Sequence, residues 1–177
     1  MLIETKRLRM DPFEASNITD CYIQWLNDPE VVKYSRQRRL THTKQSCLEY
    51  LRDYQKSENL FLSIFKKEGI KHIGNITANL NEKRSVADLG ILVGEKMVWG
   101  MGYGLEAWVG LRDYLFWERN IRRVTAGTLE CNRGMIAIAE RAGMTRKRRS
   151  SGDDLIDGVV VDGIFFEQCR SRMNDSK

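Results

Sequence analysis

Residues 86–104, VADLGILVGEKMVWGMGYG, are the most informative stretch of the sequence. It begins with an apolar run, Val86–Val93, that is typical of a buried strand, and the amphipathic segment Leu105–Trp117 that follows it predicts a helix. The alternating glycines of Gly100–Gly104 let the backbone turn and let a ligand approach the main chain closely. Because the start of a helix presents free N–H groups and a positive dipole end, the stretch predicts a phosphate or pyrophosphate site.

Two common phosphate-binding motifs do not fit this loop. A P-loop requires Gly-Lys-Ser/Thr after its glycines, but Gly104 is followed by Leu105 and Glu106. A dinucleotide fingerprint has the spacing GxGxxG and opens the first βαβ unit of its domain. Here the third glycine comes one position early, and several predicted strands precede the loop. On the loop alone, a purely structural glycine turn remains open.

The composition is that of an ordinary globular protein, with 42% hydrophobic and 30% charged residues among 177, and it predicts a single domain over residues 1–177. No apolar run approaches the roughly 20 residues of a membrane span, and the N-terminus lacks the apolar core of a signal peptide. We therefore expect a cytoplasmic protein with no membrane partner. The four cysteines form no CxxC pair and the two histidines stand alone, so we expect reduced thiols and no bound metal.

The basic residues suggest anionic ligands, since the formal net charge is +5. Two clusters stand out, Arg36–Arg39 and Arg146–Arg149. No nucleic-acid-binding signature accompanies them, so we expect no nucleic-acid partner. Each cluster is either solvated surface or a set of contacts to a small anionic ligand.

The remaining periodicity predicts a meander of antiparallel strands followed by strands and helices in alternation. Thr5–Met10 alternates weakly and predicts an edge strand, and Pro29 is placed to begin a short helix. Helices are predicted at Ile18–Leu26, after Thr43 as N-cap, and at Met135–Ala142, and strands at Leu60–Phe65, Ile70–Leu80, Arg122–Leu129, Met144–Ser150 and Val159–Gln168. The two helical crossovers indicate one mixed α/β sheet with helices on both faces.

Three pieces of the second half, in order, carry a family resemblance. They are ADLGILVGEKMVWGMGYGLEA at 87–107, the step Asn120–Val124, and Glu130-Cys131-Asn132 with the helix that ends ERAGM at 140–144. Together they resemble the acetyl-CoA-binding core of the GNAT superfamily of N-acetyltransferases, most closely its RimJ/RimL-like branch, which Trp25–Val31 also resembles. The resemblance implies the GNAT fold, a single mixed and centrally splayed sheet of about six to seven strands with helices on both faces. Dimers are common in the family, so a homodimer is one expected assembly.

The resemblance implies acetyl-CoA as co-substrate. The family's loop often begins with Arg or Gln, but Met97 stands at that position, so main-chain contacts to the pyrophosphate should dominate. The pantetheine arm would pair with the strand edge Leu89–Val93. The expected cofactor contacts are Leu92, Val93, Val98, Trp99, Gly100, Met101, Gly102, Tyr103, Gly104 and Asn132.

The implied chemistry is direct acetyl transfer to a primary amine, without a covalent intermediate on a cysteine. A base must deprotonate the amine, and a backbone N–H near Leu92 or Val93 would stabilise the oxyanion. Asp88, Glu130 and His72 are the candidate bases. The family's general acid is often Tyr or Ser, at positions held here by Ala139 and Met135, which cannot donate a proton. The thiolate then leaves without a dedicated acid, is protonated by water, or takes a proton from another residue such as Tyr103 or Tyr114.

The acceptor should be read by the first 45 residues and the final hairpin, where the family varies most. The candidate acceptor contacts are Trp25, Asn27, Arg36 and Arg38, with Tyr34 and Arg39 beside them. Guanidinium groups pair with phosphates bidentately, which favours a nucleotide-linked amino sugar. Residues 25–39 and 71–80 are also similar to acetyltransferases of bacterial surface-glycan and flagellin-sugar pathways. The alternatives are a protein N-terminus, as in ribosomal-protein acetylation, another small amine, or a non-catalytic acyl-CoA-binding module.

Overall fold

Alternating apolar residues build the strands of one sheet. The computed structural model describes residues 1–81, 83 and 85–171, apart from the side chain of residue 153, so the last six residues of the predicted domain lie outside the described part. The strands are β1 (Ile3–Glu4), β2 (Leu8–Pro12), β3 (Leu60–Lys66), β4 (Lys71–Leu80), β5 (Val86–Val93), β6 (Arg123–Leu129), β7 (Thr145–Ile156) and β8 (Val159–Cys169).

These strands form a single mixed sheet in the order β1-β2-β3-β4-β5-β6-β8-β7. All neighbours pair antiparallel except β5 and β6, which run parallel. The mixed sheet is confirmed, and the eight strands among the described residues slightly exceed the expected number of about six to seven. The edge strand predicted at Thr5–Met10 is only partly right, because residues 5–7 form the turn between β1 and β2, and Leu8–Met10 belong to β2, which β1 covers at the edge of the sheet. A two-residue strand such as β1 is too short to show a period.

Four α-helices flank the sheet within the described residues: α1 (Asp20–Asn27), α2 (Lys44–Gln55), α3 (Tyr103–Trp117) and α4 (Arg133–Arg141). Side-chain caps fix most of their starts, since the Oγ1 atoms of Thr19 and Thr43 and the Oδ1 atom of Asn132 each accept a backbone N–H of the first turn. The short helix predicted from Pro29 is absent; residues 29–34 form turns, and a single 3-10 turn follows at Arg36–Arg39.

The two faces of the sheet carry separate hydrophobic clusters. Leu62 and Ile64 of β3 pack with Trp108 and Leu111 of α3 in the larger cluster. Phe61, on the opposite face of β3, packs with Leu51 of α2 and with α1 in the smaller one. Helices therefore cover both faces, as the sequence predicts.

The parallel pair β5 and β6 separates part of the way along its length. The two strands pair only from Val86 with Arg123 to Asp88 with Thr125. Beyond this rung β5 continues to Val93 and β6 to Leu129 without pairing to each other. We call this divergence, with Asp88 and Thr125 at its apex, the fork. It leaves the edge of β5 from Leu89 to Val93 open and creates a gap through the sheet.

Candidate active site

A cleft of about 900 Å³ passes through the fork. On the side of α3 and α4 it is lined by the glycine loop and by the starts of both helices, including Gly100, Gly102, Tyr103, Gly104, Asn132, Met135 and Ile138. On the side of α1 and α2 it is lined by Glu30, Tyr34, Arg36, Asp88, Asp154 and Phe165. The cleft can therefore hold one ligand on each side of the sheet, with the gap between β5 and β6 as the place where they meet.

The glycine loop presents unpaired donors to the cleft. Gly100 and Gly102 have φ of +76° and +81°, a conformation that favours glycine, and the turn at Gly102 starts α3 within the predicted loop. Among the described residues, the N–H groups of Gly100, Gly102, Tyr103 and Gly104 donate to no protein acceptor. Donors at a helix start suit an anion, so the loop fits a pyrophosphate group.

The open edge of β5 offers further main-chain groups. Gly94 N–H donates to the carbonyl of Ile73 on β4 (3.0 Å), and by the alternation of an antiparallel pair Leu92 also turns its N–H toward β4. The N–H groups of Ile91 and Val93 therefore point into the fork. The carbonyl of Val93 is engaged, because it accepts Trp99 Nε1–H at 2.8 Å. Of the two expected oxyanion donors, Val93 faces the gap and Leu92 does not.

Asp88 lies at the apex of the fork. Its Oδ1 atom accepts a hydrogen bond from Thr125 Oγ1 at 2.6 Å. Asp88 is exposed to solvent, but the neighbouring cleft atoms desolvate its carboxylate in part, and this desolvation raises the pKa of Asp88, with the Thr125 bond acting in the opposite direction. A carboxylate with a raised pKa that faces an open gap is equipped to act as a base.

The other two candidate bases lie elsewhere. Glu130 follows β6 and is paired with Arg149 of β7, and its Oε1 also accepts the backbone N–H of Asp162. His72 lies among aromatic rings under the first helix, 5.2 Å from the ring of Trp25, and its Nε2 is 2.9 Å from the carbonyl oxygen of Gly74. Burial lowers the pKa of His72 to about 4. Neither side chain lines the cleft.

Two of the expected acceptor contacts hold the scaffold together. Trp25 is buried and its indole lies against Gly94, where no Cβ would fit. Asn27 joins α1 to the segment that follows it, since its Nδ2 donates to the carbonyl of His42 at 2.8 Å and its Oδ1 accepts the N–H of His42 at 2.9 Å. Neither residue lines the cleft.

The arginine cluster divides into paired and unpaired members. Arg38 and Arg39 both bind Asp154 of β7, at 2.6 Å and 2.5 Å. The carboxylate of Asp154 is only 8% exposed, and the Arg38 guanidinium holds the pKa of Asp154 far below its usual range. These ion pairs fasten residues 28–40, which we call the strap, to the β7–β8 hairpin. Arg36 lines the cleft and has no carboxylate partner among the described residues.

Only some of the possible proton donors line the cleft. Met135 lines the cleft, and Ala139 is fully buried in the core, so neither family position offers a proton. Tyr103 lines the cleft, with the Arg7 guanidinium 4.2 Å from its ring centre, whereas Tyr114 lies in a different groove along α3. Tyr34, on the strap, is the other tyrosine that lines the cleft among the described residues.

Asn132 is committed to the structure of the site. Its Oδ1 accepts the N–H of Met135 at 3.1 Å and so caps α4, and its Nδ2 donates to Thr128 Oγ1 at 3.0 Å. The side chain thereby fixes the start of α4 against the end of β6, at the rim of the cleft.

Sequence reasoning missed several residues of the cleft. Thr125, Thr128, Asp154 and Phe165 were not singled out, although each lines the cleft or bonds a side chain that does. Thr125 and Asp88 are 37 positions apart and meet only through strand pairing. No local signal could have joined them.

Some features are absent from the part of the chain that the structure describes. None of its helices is long and apolar enough to cross a membrane. Nor do its His, Cys, Asp and Glu side chains form a group of three or more that could hold a metal ion.

The fold and the cleft define a class of enzyme. A sequence model of the acetyltransferase (GNAT) domain matches residues 7–145, which is most of the chain. The protein belongs to the GNAT family of N-acetyltransferases, which use acetyl-CoA as acetyl donor. No curated protein matches the sequence significantly.

Solved structures with the same fold include members of the RimL/RimJ ribosomal-protein branch. RimL, a ribosomal L7/L12 alpha-N-protein acetyltransferase in complex with coenzyme A, has a TM-score of 0.84 at 14% identity, over 96% of this chain and 98% of that one. A ribosomal-protein-S5-alanine acetyltransferase from Vibrio fischeri has 0.77 at 15%, over 97% and 98%. A GNAT-family acetyltransferase from Bacillus anthracis has 0.82 at 18%, over 96% and 98%. At these identities the likeness shows the fold alone.

Proposed function

We propose that this enzyme acetylates the primary amine of a small anionic compound by direct transfer from acetyl-CoA, and that Asp88 is the base. The observation that carries the proposal is the position of Asp88 at the apex of the fork, where a gap joins the two sides of the cleft. The free donors of the glycine loop fit a pyrophosphate on one side. The open edge Leu89–Val93 is placed to bind an extended pantetheine arm as an added strand would bind.

The residues of the fork would then divide the chemistry between them. The amine must lose a proton as it attacks the thioester carbonyl carbon, and the Asp88 carboxylate accepts that proton. The N–H of Val93 points into the fork and can donate to the carbonyl oxygen as negative charge develops there. When the C–S bond breaks, the sulfur leaves as a thiolate into a cleft open to solvent, and water can protonate it. Tyr34 and Tyr103 are the cleft side chains able to donate a proton instead.

For the acceptor we propose a nucleotide-linked amino sugar. Arg36 supports this choice, because it lines the acceptor side of the cleft and has no carboxylate partner among the described residues. Its guanidinium group is therefore available to bind a phosphate through two parallel hydrogen bonds. Arg38, which the sequence also suggested, is neutralised by Asp154 and contributes the attachment of the strap instead.

The second candidate acceptor is a protein N-terminus. It is favoured by the likeness in fold to ribosomal-protein acetyltransferases such as those described for L7/L12 and S5. Since these identities are below 20%, the likeness does not transfer the substrate. A third class, a non-catalytic module that binds acyl-CoA, would keep the glycine loop but release no thiol.

An acceptor panel with acetyl-CoA, read by the release of free thiol, tests the proposal. We expect turnover with a 4-amino nucleotide sugar and none with peptides that begin with Ser or Ala. Asp88→Asn should lower kcat/KM by about 10²-fold or more, the usual contribution of a general base. Glu130→Gln is the control, since Glu130 is a candidate carboxylate that follows β6, the neighbour of Asp88's strand, and lies outside the cleft.

Three results would contradict parts of this proposal and are distinguishable. Acetylation of the peptides alone would show the second acceptor class. An Asp88→Asn variant with near-wild-type turnover would remove Asp88 as base. Binding of coenzyme A without thiol release from any acceptor would indicate a non-catalytic module.

A further inference from the structure

Arg7 lies in the turn before β2 and contacts the glycine loop from outside the cleft. Its Nη1 donates to the carbonyl of Met101 at 3.0 Å. Its guanidinium carbon is 4.2 Å from the centre of the Tyr103 ring, and its Nη2 lies 3.6 Å from where a Cβ on Gly102 would be. One side chain from the N-terminal strands therefore touches three consecutive residues of the loop.

The same arginine is held by Glu106, in the first turn of α3. Arg7 Nε donates to Glu106 Oε2 at 2.6 Å, and the backbone N–H of Arg7 donates to Glu106 Oε1 at 2.7 Å. Thr5 Oγ1 adds a third bond to Oε1 at 2.6 Å. Burial alone would raise the pKa of Glu106, but the bonds from Thr5 and Arg7 outweigh it and lower that pKa. The carboxylate is thus kept ionised and fully bonded, 99 positions from its arginine in sequence.

This arrangement solves an electrostatic problem of the loop. A carboxylate in the first turn of α3 would compete with a bound phosphate for the positive end of the helix. Arg7 neutralises that carboxylate and also draws the Met101 carbonyl, a negative dipole end, toward itself. Met97 is 77% exposed and brings no positive charge to the loop. The shape of the loop therefore has to be set by neighbouring elements.

We propose that Arg7 and Glu106 are positioning residues that set the affinity for acetyl-CoA by holding Gly100–Gly104 in its anion-binding conformation. This inference rests on the proposed role of the loop as the pyrophosphate site. The pair links the N-terminal strands to the donor side of the cleft and touches no residue on its acceptor side.

Binding and kinetics of Arg7→Met test the proposal. We expect the Kd for coenzyme A, measured by calorimetry, and the KM for acetyl-CoA each to rise about tenfold, since charge-assisted hydrogen bonds that fix the donors are lost. At saturating acetyl-CoA, kcat and the KM for the acceptor should stay within about twofold. Arg7→Lys should have a Kd and a KM between those of wild type and Arg7→Met, because one ammonium group cannot bond both Glu106 and the Met101 carbonyl as the planar guanidinium does.

Arg9→Met is the matched control. Arg9 lies on β2 two positions away, pairs with Asp11 at 2.8 Å and lies over the Phe65 ring, away from the loop. It should lose some stability and leave the coenzyme A Kd unchanged. If Arg7→Met does not fold, Arg7→Lys carries the same measurement.

The outcomes distinguish a failure of the proposed Arg7–Glu106 positioning role from a failure of the proposed pyrophosphate site. An unchanged Kd in a folded Arg7 variant, or equal losses in the Arg7 and Arg9 variants, would overturn the positioning role. A loss of kcat with no change in KM for acetyl-CoA would also overturn it. A wild-type protein that does not bind coenzyme A would instead overturn the proposed function on which the inference rests.

Discussion

At the scale of single residues, the account depends on one hydrogen bond at the apex of the fork. Thr125 Oγ1 donates to Asp88 Oδ1 at 2.6 Å, at the last rung where β5 and β6 pair. The bond orients the carboxylate toward the gap, and it stabilises the ionised form against the desolvation that raises the pKa of Asp88. Asp88 accepts a proton only when it is ionised, so this bond also sets the pH at which the proposed base becomes active.

Replacing Thr125 with Val removes the donor at nearly constant volume and should raise the pKa of Asp88 further. Activity that depends on ionised Asp88 is lost as the pH falls through its pKa, so a higher pKa moves the acidic limb of the kcat/KM profile to higher pH. The expected result is therefore an acidic limb displaced to higher pH in Thr125→Val. The measurement is the pH profile of kcat/KM for wild type and Thr125→Val.

Two variants control this experiment. Thr125→Ser keeps a hydroxyl and should restore the wild-type limb. Thr77→Val removes a threonine on β4 whose Oγ1 bonds the Gly90 carbonyl at 3.4 Å, and it should leave the limb in place. An unshifted profile in Thr125→Val would mean either that the bond does not stabilise the carboxylate or that Asp88 is not the titrating base, and Asp88→Asn distinguishes these.

The sequence could nominate candidate bases for the site but could not choose among them. Asp88, Glu130 and His72 all lie in or beside predicted strands near the predicted gap, and local pattern does not distinguish them. Strand register places Asp88 at the fork. Glu130 forms an ion pair with Arg149 of β7, and the packing of α1 on the sheet surrounds His72 with aromatic rings. Each of these differences arises from tertiary contacts that no local signal reports.

At the scale of elements, the glycine loop and α3 form one unit. Gly102 is the N-cap of α3 with φ of +81°, so a residue in the middle of the loop starts the helix and orients the free N–H groups. Its backbone conformation costs other L-residues roughly 1–2 kcal/mol. The loop and the helix could be predicted from the sequence, because alternating glycines next to apolar residues at helical spacing form a local signal.

Gly102→Ala should strain this turn and move its donors. We expect the Kd for coenzyme A to rise several-fold, and the free energy of unfolding to fall by about 1 kcal/mol. Gly69→Ala is the matched control: Gly69 has φ of +72° with nothing within 4 Å of an added Cβ, and it lies in the β3–β4 turn away from the cleft. Equal stability losses with a raised Kd only for Gly102→Ala, by calorimetry and thermal unfolding, would support the role of the loop. A raised Kd in both variants would refute it.

The elements were predictable where a periodic apolar face is buried, and β7, the longest strand among the described residues, was predicted too short, since it continues past Ser150 to Ile156. The strands from β3 to β6 and the helices α2 to α4 appear close to their predicted bounds, because each buries one periodic face in a core cluster. The helix expected from Pro29 fails because tertiary contacts hold that segment otherwise. Lys96 binds Asp28 at 2.7 Å and Glu30 at 2.9 Å, and Arg38 binds Asp154. These ion pairs join residues that are 66 to 116 positions apart, beyond the range of any local signal.

At the scale of the whole molecule, the fork divides the cleft into a donor side and an acceptor side. The donor side is built mainly from the contiguous stretch 86–107, to which the start of α4 adds Asn132, Met135 and Ile138, and most of it could therefore be predicted. The acceptor side is assembled from the strap, from β5 and from the β7–β8 hairpin, which Arg38, Arg39 and Asp154 fasten together. The residues of the acceptor side come together only in the folded chain. For this reason Trp25 and Asn27 were predicted as acceptor contacts, although both lie outside the cleft and support the strap.

A crystal structure with coenzyme A would show whether the fork is the site of acetyl transfer. We expect the pyrophosphate within hydrogen-bond distance of the N–H groups of Gly102 and Gly104, and the pantetheine arm along the open edge Leu89–Val93. The thiol should then lie in the gap, within reach of an acceptor whose amine contacts Asp88. Coenzyme A bound in the groove along α3 that contains Tyr114, with the fork empty, would contradict the account.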